Sequence, residues 1–211
     1  MSSSSAESGF QRIVDALTEA ARTCQARLAQ VTRALERSNG LDAMQDDAAQ
    51  HLQRVETWAI EGLASHGGSA VRAVSALRIA NDLRRIDQLL SDLARRLPHP
   101  MPALPDDIAD QVHHVIELTL VQLGASQDCL TTRDLGRIQR VVSEETFLDD
   151  WYDILLGDVL DELAEKRLSK ADLIPVLTLA RTLERIGDHA RDIAINAAAL
   201  AGVGEQHVDP S

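Results

Sequence analysis

Apolar side chains recur every third or fourth residue along most of the chain. Phe10, Ile13, Leu17, Ala21, Cys24, Leu28, Val31 and Leu35 form the first such stripe, with Val14 beside Ile13. That spacing puts the stripe on one face of a helix and predicts one over about 9–38. Asn39-Gly40 ends it, since both residues accept the left-handed conformation that closes helices. Leu41, Met44, Leu52, Val55 and Leu63 predict a second helix over about 41–65, stopped at Gly67-Gly68. A third, over about 69–97, carries Val71, Val74, Leu77, Leu83, Ile86, Leu90, Leu93 and Leu97.

Pro98-His-Pro-Met-Pro-Ala-Leu-Pro105 then interrupts the pattern, because proline donates no backbone hydrogen bond and clashes within a helix. Three further helices are predicted beyond it, over about 106–130, 132–167 and 169–202. Ser169 and Asp172 have the spacing of a capping box, and Pro175 is expected to kink or delay the last helix. Residues 77–94 align with 177–194 at an offset of one hundred, with seven of eighteen positions identical, Arg85/Arg185 and Ile86/Ile186 among them. The expected architecture is therefore all-α, two tandem antiparallel three-helix bundles related by internal duplication. Residues 1–8 are read as a disordered tail, 9–97 as the first repeat, 98–105 as the linker, 106–202 as the second repeat and 203–211 as a C-terminal tail.

Composition supports helices, since aromatic residues make up only 2% of the chain and β-sheets favour aromatic and β-branched side chains. No run of about 18 apolar residues occurs, and the Ser-rich start lacks the basic and apolar segments of a signal peptide. A cytoplasmic protein is the expectation. Cys24 and Cys129 lie far apart at apolar helical positions, which reads as two buried thiols. Charge is divided unevenly: residues 1–100 hold 12 basic and 12 acidic side chains, residues 101–211 hold 9 basic and 21 acidic. Such a surface repels DNA phosphates and argues against a DNA-binding repressor.

The acids of the second half are also patterned. Glu184 and Asp188 stand four apart, as do Glu145 and Asp149 on the preceding helix, with Asp192 and Asp153 continuing each stripe. Side chains four apart share a helix face, and consecutive antiparallel helices touch, so the two stripes can face each other. Converging carboxylates repel and call for water, basic side chains or a hard cation. Arg181, Arg185 and Arg191 offer ordinary ion pairs as the alternative. Gly187 beside Asp188 is expected to leave room for a close backbone or a ligand. No Glu-x-x-His occurs, which excludes a ferritin-like metal enzyme, and no nucleophile–base pair is legible. His113, His114 and His189 are not assigned as ligands, and Trp151 and Tyr152 are read as packing residues.

Leu183-Glu-Arg-Ile-Gly-Asp-His-Ala190, with Ala180-Arg181 before it, resembles the signature on the third helix of a repeat of the PhoU family of phosphate-signalling proteins. Glu145 to Asp149 followed by Trp151-Tyr152 is similar to that family's acidic motif on its second helix. The resemblance implies a non-enzymatic negative regulator of phosphate uptake and starvation signalling. Its partners would be the ATPase of a phosphate ABC transporter and a sensor histidine kinase, with homodimerisation left open. It also implies metal ions (iron, zinc, manganese or magnesium) on Glu145, Asp149, Glu184 and Asp188, with Asp153 and Asp192 as further candidates. The first half departs from the pattern: Arg84 and Gln88 stand where the family has Glu and Asp, Asp87 where it has glycine, and Asp46 and Gln50 are read as the second-helix equivalents. One metal site kept and one lost is the expectation. The alternative is a helical adaptor or scaffold without a functional metal site.

Overall fold

The computed structural model describes residues 2–37, 47–64, 69–97, 102–132 and 134–202, and the side chains of all of these except 2–7, 34–37, 47, 64 and 144–146. The expected helix stops at Asn39-Gly40 and Gly67-Gly68, the start of the Pro-rich linker, Asp46 and the tail at 203–211 lie outside the described residues. Among the described residues six helices follow in order: α1 (Ser2–Arg37), α2 (Asp47–Ala64), α3 (Ala70–Arg96), α4 (Asp106–Thr132), α5 (Leu135–Ala164) and α6 (Lys170–Leu200). The disordered tail expected at 1–8 is corrected, since α1 already begins at Ser2. That stretch holds no proline, and a helix nucleated by the packed turns after Phe10 extends outward at little cost per residue.

Helix ends follow from local chemistry. Ser69 caps α3 by accepting from the Arg72 amide at 3.3 Å. Asp134 caps α5 by accepting from Gly136 N at 2.8 Å. Ser169 and Asp172 form the expected capping box at the start of α6, with Asp172 N donating to Ser169 Oγ at 3.2 Å and Ser169 N to Asp172 Oδ2 at 3.3 Å. Pro175 sits in the second turn of α6 without ending it, because only one amide-to-carbonyl bond is lost there.

Helices α1, α2 and α3 pack on one another, as do α4, α5 and α6. The two halves join along α3 against α6 and α1 against α4, so one apolar core runs through both. The duplication is visible in burial. Ile13/Ile108, Leu17/Val112, Cys24/Thr119 and Leu28/Leu123 are buried pairs at an offset of 95. Ala48/Leu148, Val55/Leu155, Leu83/Leu183 and Ile86/Ile186 are buried pairs at an offset of 100. This register corrects the equivalence read for the second helix: Ala49, not Gln50, stands opposite Asp149. Among the described residues no helix is long and apolar enough to cross a membrane.

Candidate metal centre

The approach of α5 to α6 is set by a missing side chain. A Cβ on the buried Gly187 would lie 2.2 Å from Leu148 Cδ2 and 2.9 Å from Gln122 Oε1. The space expected beside Asp188 is thus filled by the tip of Leu148, with Gln122 of α4 behind it. Leu148 precedes Asp149 and Gly187 precedes Asp188, so this knob-in-notch contact fixes how close the two acidic stripes come.

Glu184 reports the result. Burial pushes its carboxyl above the ordinary carboxylate range, Arg181 opposes the shift, and the negative charges of Asp188 and Asp149 push it up further. Arg181 Nη1 donates to both carboxylate oxygens of Glu184, at 2.8 and 2.6 Å, yet the Arg181 side chain is 61% exposed and water screens much of its effect. Asp149, Glu184 and Asp188 therefore share one electrostatic neighbourhood spanning two helices. Asp153 lies on the exposed side of α5. Asp192 pairs with Arg191 at 3.4 Å. Glu145 belongs to α5, one turn before Asp149, and its side chain lies outside the described residues.

An all-oxygen donor set of this kind suits hard cations, and a bound cation would offset the burial and the lesser repulsion that raise Glu184. Among the described residues, no group of three acidic, histidine or cysteine side chains is arranged to hold an ion.

The first half fills the equivalent space with protein charges. Arg84, at the place of Glu184, pairs with Glu56 of α2 at 2.6 Å. Asp87, at the place of Gly187, pairs with the buried Arg27 of α1, whose Nη2 also donates to Ser91 Oγ at 2.8 Å. At the offset of 95, Arg27 corresponds to Gln122, and both are buried. One repeat thus holds an ion pair where the other holds a glycine notch and a neutral amide. Neither Leu148 nor Gln122 is legible from spacing within one helix; the shorter repeat offset between α1 and α4 is the signal that points to the latter.

The remaining candidates point elsewhere. His189 Nδ1 lies 3.1 Å from Asp82 Oδ1, so this histidine turns from the acids toward α3 of the other half. His114 packs edge-on against Trp151, ring centres 4.4 Å apart. Trp151 and Tyr152 are half-buried against the core.

Comparison with known proteins places this geometry in context. The family model described as PhoU domain matches residues 112–197, the half that carries the acidic stripes. A phosphate-specific transport system accessory protein PhoU homolog of Xylella fastidiosa (strain 9a5c) is 30% identical, over 79% of this chain and 72% of that protein. A protein of the same description from Rhizobium meliloti (strain 1021) is 27% identical over 72% of this chain and 65% of its own length. Two solved structures share the fold. The phosphate transport system regulatory protein PhoU of Streptococcus pneumoniae has a TM-score of 0.67 at 19% identity, covering 97% of this chain and 96% of that one. PhoU of Pseudomonas aeruginosa has a TM-score of 0.60 at 15% identity, covering 95% and 97%.

Proposed function

The chain belongs to the PhoU family, and from that premise we propose that it is a non-enzymatic, cytoplasmic regulator of phosphate transport that restrains uptake and starvation signalling when phosphate is plentiful. It acts by contact with the ATPase of a phosphate ABC transporter and with a sensor histidine kinase. A divalent or trivalent ion (iron, zinc, manganese or magnesium) binds in the second half through Glu145, Asp149, Glu184 and Asp188, with Asp153 and Asp192 as outer donors. The ion offsets the carboxylate repulsion and holds α5 against α6. The observation that supports the metal reading is that Glu184, its carboxyl raised by burial, also feels the negative charges of Asp188 and Asp149.

Elemental analysis of tag-free protein, wild type against Asp149→Ala with Asp188→Ala, tests the site; the double variant should lose the metal. Equal metal in both would refute it. The bidentate Arg181–Glu184 pair supports a second reading, the same regulator working as a metal-free scaffold, and a metal-free wild type would favour it. For the role, a deletion strain grown in high phosphate should keep starvation genes switched on. Normal repression there, with no second family copy to compensate, would reject it.

A further inference from the structure

The outward face of α5 has features that the fold does not require. Phe147 and Ile154 are 60% and 47% exposed, and seven residues, two helical turns, set them on one stripe. Asp150 and Asp161 are exposed beside them, with Gly157 exposed between. A Cβ on Gly157 would meet nothing within 4 Å. Glycine in mid-helix weakens the helix, and it persists where another backbone must come close. At Gly187 the space is taken by the Leu148 side chain; at Gly157 no described atom takes it. The equivalent stripe of the first repeat carries Gln50, Arg54, Thr57 and Glu61, so the bundle tolerates an ordinary polar surface there.

We propose that this face of α5 docks a basic amphipathic helix presented by a partner protein. Between Arg140 and Lys166 the chain has nine acidic residues and no basic one. A helix with an apolar stripe flanked by Lys and Arg would lay that stripe over Phe147 and Ile154 and set its charges against Asp150 and Asp161. Gly157 lets the two helix axes approach, because interaxial distance is fixed by side-chain size at the crossing. The same face of a second copy would bring acids against acids, and nucleic acid would meet the same repulsion.

The inference rests on the reading of the chain as a protein-contacting regulator. Its test reads helix binding in solution rather than gene expression, so the two can fail separately. The probe is a fluorescent synthetic amphipathic helix with a leucine stripe flanked by lysines, measured by anisotropy on full-length protein at about 0.15 M salt. A twin peptide with glutamates in place of the lysines is the control. The lysine peptide should bind and the glutamate twin should not. Gly157→Leu should weaken binding about tenfold or more, while Thr57→Leu on the first repeat should leave it unchanged. Phe147→Ser carries the same test should Gly157→Leu fail to fold. Binding unaffected by Gly157→Leu and Phe147→Ser, or lost equally on Thr57→Leu, would reduce the effect to diffuse charge and overturn the proposal. A concentration-dependent dimer that Gly157→Leu abolishes would assign the face to self-association, and equally overturn it.

Discussion

Gly157→Ala should stabilise the protein and Gly187→Ala should not, although both put the best helix former into a helix interior. Each substitution gains about 1 kcal/mol from helix propensity alone. At position 157 nothing lies within 4 Å of the new methyl, so that gain stands. At position 187 the methyl meets Leu148 Cδ2 at 2.2 Å and Gln122 Oε1 at 2.9 Å. Leu148 is 2% exposed and Gln122 5%, so neither can yield without disturbing the core. Overpacking of this kind costs about 1–3 kcal/mol. Net of propensity, Gly187→Ala should fall between neutral and about 2 kcal/mol destabilising, leaving the two variants about 1–3 kcal/mol apart. Urea denaturation followed by helical circular dichroism measures both. In a Leu148→Ala background the penalty at 187 should largely disappear, a coupling of about 0.5–3 kcal/mol. Equal stabilisation by the two alanines would show that Leu148 does not occupy the notch. Forced apart, α5 and α6 should also retain less metal.

Other outcomes follow from the charges and thiols. Since the native state disfavours the charged form of Glu184, its penalty is absent below the unfolded value of about 4.3 and grows as pH rises toward the raised native value. Glu184→Gln should therefore raise the urea midpoint of chelated protein at pH 7 and lose that advantage below about pH 4, and an unchanged midpoint at pH 7 would count against the convergence of acids. Arg27→Ala leaves Asp87 without its buried partner and should cost about 3–5 kcal/mol by denaturation, most of it recovered in Arg27→Met with Asp87→Leu. Burial pushes the Cys24 thiol up to about 12 and that of Cys129 to about 11. Neither should react with a thiol reagent in native protein at neutral pH, and both should react after denaturation.

The sequence by itself determined the six helices, because a three-to-four apolar repeat has one low-energy solution and is written in consecutive residues. It also determined the capping box at Ser169 and the duplication, whose strongest trace, Arg85-Ile86 against Arg185-Ile186, lies within a single helix of each half. Helix ends were less legible: the Ser-rich start carries turn-forming side chains but no proline to stop a helix that the packed residues behind it sustain. The candidate site was half legible. Spacing within α6 or within α5 puts two carboxylates on one face, whereas how near the pairs come across helices depends on the depth at which α5 sits on α6. Tertiary structure alone decided that depth, through Leu148 in the notch at Gly187. Only the fold, likewise, decided that Arg27 reaches Asp87 in one half while Gln122 stands at the same place in the other. These pairs are distant in sequence and differ in offset by five residues, so no periodicity within one helix records them.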